Sequence, residues 1–178
     1  WGHVAGLART GLSSPVTTSM GRLFDAAAAL CGVRTHVNYE GQAAIELEAA
    51  CDPAERGRYP VALEAGQVLE IDPRDTIRAL MADIDAGVPR GVVASRFHAA
   101  VAFATVEACS RAALLHGTDR IVLSGGVFQN RRLIEAVAAG LRAAGLRVLV
   151  PERLPINDGG ISYGQAAVAA RQMSAAGT

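Results

Sequence analysis

The stretch from Arg120 to Asn130 most constrains the fold, because an apolar run there meets paired glycines and a helix start. Ile121 to Leu123 are apolar and mostly β-branched, which is typical of a short buried strand. Gly125 and Gly126 follow, and Asn130 is predicted to cap a helix. Because glycine has no Cβ, backbone N–H groups at such a turn can approach a phosphate or nucleotide closely. A tight turn with an Asn cap and no ligand is the alternative interpretation.

The next segments extend this stretch into a βαβ unit. A helix over 130–144, closed by Gly145, leads to a second short apolar strand at 147–150. A crossover of this length predicts parallel strands. A second glycine-bearing turn, Asn157 to Gly160, follows the second strand. In an α/β sheet both turns lie at one edge, so Gly125–Gly126 and Asp158 are predicted to face one crevice.

The rest of the chain is predicted to be mainly helical. Residues 1–16 are predicted to be an irregular lead-in, and residues 17–178 one compact unit. Helices are predicted at about 21–31, 42–50, 74–86, 91–116 and 161–172, and a β-hairpin at 59–64 and 68–71.

Charge excludes several function classes. The 17 basic and 17 acidic residues cancel, and every basic residue is arginine. The absence of lysine excludes a Walker-A loop and a lysine nucleophile. No basic stretch is long enough to indicate nucleic acid. No apolar run reaches membrane-spanning length, so we expect no membrane partner.

The cysteines indicate the cellular location of the protein, and the first residue indicates whether the chain is part of a longer one. Cys31, Cys51 and Cys109 are odd in number and far apart, which fits neither a disulfide framework nor a Cys-x-x-Cys zinc site. A reducing cytoplasm is therefore the expected location. The first residue is Trp rather than Met, so we expect the chain to begin inside a longer protein.

Three acidic or imidazole side chains have two interpretations each. Asp158 is either a helix-capping acid or a metal ligand, and a metal would need further ligands. The four histidines contain no His-x-x-x-His pair. His98 lies beside the apolar stripe of a long helix, which favours a structural role. Asp25 falls off the apolar face of its helix, as a solvated Asp does.

Five segments, in this order, resemble one family: Thr17–Asp25 (Thr-Thr-Ser-Met-Gly-Arg-Leu-Phe-Asp), Tyr39–Glu46 (Tyr-Glu-Gly-Gln-Ala-Ala-Ile-Glu), Phe97-His98, Leu123–Asn130 (Leu-Ser-Gly-Gly-Val-Phe-Gln-Asn) and Asn157–Gly160 (Asn-Asp-Gly-Gly). The chain resembles the C-terminal part of the Kae1-like domain in the HypF carbamoyltransferases of hydrogenase maturation. The resemblance covers about Ser13 to Ala170. It implies an α/β, actin-like ATPase fold of the sugar kinase/Hsp70 type, with this chain as the second lobe: a short mixed sheet flanked by helices.

The resemblance also implies a reaction and a site. The family makes carbamoyl-adenylate from carbamoyl phosphate and ATP, and transfers the carbamoyl group to the C-terminal cysteine of HypE for cyanide-ligand synthesis in [NiFe]-hydrogenase. The resemblance implies nucleotide contacts by Gly125, Gly126 and Asn130, ribose contact by Asp25, and pocket positions for Gly41 and Glu46. Asp158 matches a metal-ligand aspartate, with Fe or Zn as the divalent metal. No covalent nucleophile is implied within the chain.

The chain lacks several segments that the family contains. The family's His-x-x-x-His metal pair and its acylphosphatase-like, zinc-finger and YrdC-like domains precede this region. We therefore expect the isolated chain to be incomplete and inactive. Two other functions stay open: a Kae1/TsaD-like tRNA threonylcarbamoyl transferase relative, which the zero net charge disfavours, and a non-catalytic nucleotide-binding lobe.

Overall fold

A computed structural model describes residues 2–66 and 68–176. Trp1, where the predicted lead-in begins, and residues 177–178, where the predicted lobe ends, lie outside them. The elements are helices α1 (Gly2–Thr10), α2 (Met20–Leu30), α3 (Gln42–Ala49), α4 (Arg74–Asp85), α5 (Arg90–His116), α6 (Arg131–Ala143) and α7 (Ile161–Ala176), and strands β1 (Ala62–Ala65), β2 (Leu69–Asp72), β3 (Arg120–Val122) and β4 (Arg147–Leu149). Short 3-10 turns cover Gly126–Gln129 and Asp158–Gly160.

Strands pair in two small sheets. β1 and β2 form the predicted antiparallel hairpin, with Ala65 opposite Leu69. β3 and β4 are parallel, with Arg120 opposite Arg147, so the predicted pairing across α6 is confirmed. The strands therefore form two separate pairs flanked by helices within the described residues, instead of one continuous mixed sheet.

The core is centred on α5. Phe24 of α2 and Phe97 of α5 meet edge to face, with 5.1 Å between ring centroids. α5 and α6 pack closely because Gly140 has no side chain: a Cβ there would lie 2.7 Å from Cγ2 of Val106. The largest buried apolar side chains are Phe24, Leu47, Leu80, Val93, Phe97, Leu123, Leu133, Val137 and Leu141. α5 thereby fixes α2, α3 and α6 relative to one another.

Two predictions need correction. Gly2–Thr10 form a helix, where an irregular segment was predicted. It buries no side chain and includes local bonds such as Thr10 Oγ1 to the Gly6 carbonyl at 3.0 Å. Gly2 and Gly6, which lie within it, favoured the irregular segment in the prediction. Among the described residues, α5 is long and apolar enough to cross a membrane by length and composition alone, whereas no such run was expected. Half of its apolar window is buried in the lobe, and the core helices of soluble proteins pass the same test.

Candidate functional site

The turns that follow β3 and β4 touch each other. The backbone N–H of Gly125 donates to the carbonyl of Ile156 at 2.7 Å. The Ser124 hydroxyl donates to the same carbonyl at 3.4 Å. Ile156 stands two residues before Asp158. The predicted placement of the two glycine-bearing turns at one edge of the β3–β4 sheet is therefore confirmed.

Gly125 and Gly126 differ in what they contribute. Gly125 has φ 106° and ψ 158°, a conformation that side-chain-bearing residues rarely adopt. A Cβ at Gly126 would meet no atom within 4 Å, so the space in front of this residue is open. None of the hydrogen bonds between described residues uses the backbone amide of Gly126 or Val127. These two amides can donate to a ligand.

The start of α6 is already occupied by protein groups, contrary to the prediction of a phosphate-accessible helix start directly after the glycines. The 3-10 turn separates the glycines from α6. Asn130 Oδ1 accepts from the amide of Leu133 at 2.8 Å, as an N-cap does. Glu48 of α3 accepts from the amide of Arg132 at 2.9 Å. A phosphate would therefore bind at the amides of the 3-10 turn rather than at the first turn of α6.

The side chain of Asn130 is buried and already hydrogen-bonded within the chain. Its side chain is 8% exposed. Its Nδ2 lies 2.9 Å from Nε2 of His98, so both polar atoms of the amide have partners within the chain. Nucleotide contact by Asn130 stays a prediction; the structure gives this side chain a role in fixing the turn that precedes α6.

His98 is the buried partner of this network, as the structural interpretation predicted. It is 1% exposed, and its Nδ1 lies 2.8 Å from the carbonyl oxygen of Ala94. Burial lowers the pKa of His98, with a smaller lowering effect from the charge of Arg132, against an opposing effect of the Ala94 hydrogen bond. The ring is therefore neutral at neutral pH.

Asp25 lies on α2, the helix whose start is near the 3-10 turn. α2 begins against this turn, since a Cβ on Gly21 would lie 4.0 Å from Cγ2 of Val127. Asp25 stands four residues later, one turn along the same face of α2. It is half-buried, one residue after the buried Phe24. The contact of its carboxylate with a ribose stays a prediction.

Gly41 and Glu46 already have structural roles. Gly41 caps α3 with φ 81°, which by itself explains a glycine there. Glu46 accepts from Nε and Nη2 of Arg34 at 2.8 and 2.5 Å, and from Gln42 at 3.0 Å. The Arg34 guanidinium holds the pKa of Glu46 below its usual range. No hydrogen bond or ion pair between described residues joins Gly41 or Glu46 to the two turns, so their place in the pocket stays a prediction.

Asp158 is an exposed carboxylate at the start of α7. Asn157 caps its turn by accepting from the amide of Gly159 at 3.1 Å. Gly160 packs so closely that a Cβ would lie 2.6 Å from the Pro155 carbonyl oxygen. Among residues 2–66 and 68–176, no three His, Cys, Asp or Glu side chains form a metal-binding group. Asp158 therefore fits a hard divalent metal as one ligand, and a complete site needs ligands from elsewhere.

Glu48 makes a contact at the start of α6 that sequence reasoning missed. It is 84 residues away from its partner Arg132 in sequence, and no local motif links them. The His98–Asn130 contact was missed for the same reason, across 32 residues.

Comparison with known proteins places this geometry in one family. The family model described as "Carbamoyltransferase, Kae1-like Domain, second subdomain" matches residues 2–165. Carbamoyltransferase HypF of Rhizobium leguminosarum bv. viciae is 39% identical over 159 residues, which are 89% of this chain and 20% of that protein. The carbamoyltransferase HypF homolog of Cupriavidus necator is also 39% identical, over 97% of this chain and 45% of its own length.

A solved structure of a HypF protein has the same fold over this region. Full-length HypF in its phosphate- and nucleotide-bound form superimposes with a TM-score of 0.90 and 35% identity, over 94% of this chain and 26% of that one. The actin-like second-lobe fold is thereby confirmed. This chain spans from a fifth to just under half of the length of these relatives. The chain belongs to the HypF carbamoyltransferase family, as the second subdomain of its Kae1-like domain.

Proposed function

We propose that the full-length protein containing this lobe makes carbamoyl-adenylate from carbamoyl phosphate and ATP. It then transfers the carbamoyl group to the C-terminal cysteine of a HypE-like acceptor, for cyanide-ligand synthesis in [NiFe]-hydrogenase. Family membership supports the transfer chemistry. The structure of full-length HypF in its phosphate- and nucleotide-bound form supports the use of a nucleotide.

The observation that carries the proposal is the pair of open amides at Gly126 and Val127, on a turn that contacts the segment leading to Asp158. Backbone N–H groups stabilise phosphate oxygens, and they replace the lysine that the chain lacks. Asp25 on α2 accepts from ribose hydroxyls. Asp158 stands two residues after Ile156, whose carbonyl accepts from the amide of Gly125. A nucleotide has phosphates between its ribose and its reacting end, so the proposed pose puts the ribose at Asp25, the phosphate at the two amides and the reacting end towards Asp158.

Asp158 is proposed to be one ligand of a divalent metal, Fe or Zn, whose other ligands come from outside this chain. When bound, the metal supplies positive charge that stabilises the developing charge on acyl-phosphate oxygens. Asp158 suits this role because its carboxylate is exposed and makes no hydrogen bond or ion pair with another described residue. The rigid Asn157–Gly160 turn fixes the direction from which the carboxylate is presented.

In the transfer step, the acceptor thiolate attacks the carbamoyl carbon of the adenylate. The new C–S bond forms as the C–O bond to phosphate breaks, and AMP leaves with the electron pair on its phosphate oxygen. The amides of Gly126 and Val127 hold the phosphate that becomes the leaving group, and so contribute by positioning and charge stabilisation. The thiols of this chain are poor nucleophiles, because burial raises the pKa values of Cys31, Cys51 and Cys109.

The lobe is proposed to work with the rest of its polypeptide. The relatives are longer, which agrees with upstream YrdC-like, zinc-finger and acylphosphatase-like domains in the complete protein. Helix α7 supports this proposal, since each described side chain from 161 to 175 is exposed although most of them are apolar. Three free thiols support a cytoplasmic location, and neither a membrane nor a nucleic acid is a proposed partner.

The test uses the full-length protein with carbamoyl phosphate, ATP and a HypE-like acceptor. We expect carbamoyl-dependent ATP turnover and a mass increase on the acceptor's C-terminal cysteine. The separate 178-residue chain should give no turnover. Nucleotide binding by the full-length protein without any transfer would instead support the non-catalytic lobe, and transfer to tRNA would support the threonylcarbamoyl relative.

The metal assignment has its own test. Asp158→Ala in the full-length protein should reduce both the metal content and carbamoyl transfer. Asp85→Ala is the matched control, because Asp85 is also exposed but lies at the end of α4. Unchanged metal content in Asp158→Ala would exclude Asp158 as a ligand.

A further inference from the structure

His98 lies where four helical regions meet. Its ring packs edge-on against Phe24 of α2, with 5.2 Å between ring centroids. On α5 its Nδ1 lies 2.8 Å from the Ala94 carbonyl oxygen, and its Nε2 lies 2.9 Å from Nδ2 of Asn130 at the start of α6. Sγ of Cys51, just after α3, lies 3.4 Å from Nδ1. A single buried ring thus contacts both the helix that carries Asp25 and the end of the turn that carries Gly126.

Hydrogen-bond partners assign the proton positions. The amide of Leu133 can only donate, so Asn130 must present Oδ1 to it and Nδ2 to His98. An Nδ2–H group needs an acceptor, so Nε2 of His98 carries the lone pair. The proton is therefore on Nδ1, where the carbonyl oxygen of Ala94 accepts it.

This arrangement tolerates no second proton on the ring. In the imidazolium form, Nε2–H would face the Nδ2–H group of Asn130, donor against donor. If the side-chain amide of Asn130 rotated by about 180° to accept from the ring, Nδ2 would face the backbone N–H of Leu133. The N-cap of α6 would then be lost. Either outcome displaces Asn130, which directly follows the 3-10 turn Gly126–Gln129.

We propose that His98 is a positioning residue for nucleotide binding: its neutral Nδ1–H ring holds Asn130, and through it the Gly126–Gln129 turn, in register with the Asp25-bearing helix. The proposal rests on the proposed function, since it assumes that this turn binds phosphate. It predicts that nucleotide affinity weakens when the ring is protonated.

The charged and titratable groups around the ring are few. Arg132 of α6 disfavours the imidazolium, and Glu48 of α3 favours it. Cys51 is the thiol in contact with the ring, and burial raises its pKa, so it stays neutral over the relevant range. Phe24 of α2 and Ala94 of α5 contribute no titratable group. Burial dominates these effects and lowers the pKa of His98.

Two substitutions separate the two ring nitrogens. In His98→Gln the side-chain amide reaches the position of Nε2, where its oxygen can accept from Asn130 without titrating. In His98→Asn the shorter amide reaches only the position of Nδ1. It can donate a hydrogen bond to the Ala94 carbonyl, but it leaves Nδ2 of Asn130 without an acceptor. His116→Asn is the matched control, because His116 lies exposed at the end of the same helix.

The experiment measures the ATP affinity of the full-length protein by calorimetry from pH 5.5 to 8. We expect His98→Asn to bind on the order of tenfold more weakly at pH 7.5. His98→Gln and His116→Asn should bind like the wild type at that pH. Because ATP itself titrates in this range, each variant is compared with the wild type at the same pH: the wild type should lose affinity on acidification relative to His98→Gln.

A third variant covers the case in which His98 variants fail to fold. In Asn130→Asp the carboxylate still caps Leu133 but prefers a protonated ring, so the acid loss of affinity should reverse. Wild-type affinity in His98→Asn, or an unchanged acid loss in Asn130→Asp or His98→Gln, would overturn the positioning role. Absence of ATP binding by the wild type at every pH would instead overturn the proposed function, and this inference with it.

Discussion

Oε1 of Glu48 on α3 accepts a hydrogen bond from the backbone amide of Arg132 on α6 at 2.9 Å. A carboxylate at this position also interacts favourably with the positive end of the helix dipole. Together with Asn130 it satisfies two of the amides that begin α6. The contact fixes the orientation of α6 relative to α3, and thereby the end of the turn proposed to bind phosphate.

Glu48→Ala should therefore loosen the start of α6. We expect the local opening free energy there to fall by about 1 kcal/mol, the usual effect of losing an N-terminal cap. Hydrogen exchange of the Arg132 and Leu133 amides in the full-length protein measures it. Glu48→Gln keeps an acceptor and should lose less. Glu135→Ala, which removes an exposed partner of Arg131 on the same helix, is the control; equal exchange in the Glu48 and Glu135 variants would show that the cap is dispensable.

Local sequence signals predicted most helices and strands, α1 excepted. They did not predict the contacts between residues far apart in sequence. Asn130 caps α6 as predicted, because a cap bonds to an amide three residues away. The 3-10 turn between Gly126 and Gln129 was not predicted, since its sequence has no distinct signal. Glu48 and His98 act across 84 and 32 residues, distances at which only the folded chain brings partners together.

The two adjacent glycines should respond differently to alanine. Gly125→Ala places a side chain at φ 106°, which costs about 1–3 kcal/mol of stability. Gly126→Ala meets no neighbouring atom, so the melting temperature of the full-length protein should not change. Its methyl group would lie beside the amides proposed to bind phosphate, and ATP affinity should fall on the order of tenfold.

Gly6→Ala is the control for this pair, because a Cβ on Gly6 of α1 also meets open space. It should change neither stability nor affinity. Wild-type ATP affinity in Gly126→Ala would show that the phosphate lies elsewhere.

Cys31 should become reactive and destabilising only in alkali. Burial raises the pKa of its thiol from 9.0 to about 11. Because the unfolded chain ionises first, this thiol's contribution to stability is complete below pH 9 and is lost as the pH rises from 9 towards 11. Residue-resolved alkylation by iodoacetamide in the full-length protein should therefore be slow at pH 7.5. Cys31→Ala should lose less stability between pH 9 and 11 than the wild type; rapid alkylation of Cys31 at neutral pH would contradict the assignment.

Helix α7 should be covered in the full-length protein. Its described part contains one charged residue, Arg171, and exposes Ile161, Tyr163, Val168 and Met173. An apolar surface of this kind on a lobe that spans about a quarter of a solved relative fits a docking face for the remaining polypeptide. Val168→Glu should then cost about 1–3 kcal/mol, because the charge would be buried on docking.

The measurement is thermal unfolding together with limited proteolysis of the full-length protein. Ala170→Glu adds the same charge two residues along the helix, where the side chain points to the opposite face. It should melt like the wild type, while Val168→Glu melts earlier and is cleaved faster near α7. If the two variants melt together, α7 lies in solvent in the complete protein, and another surface of the lobe must contact the rest of the chain.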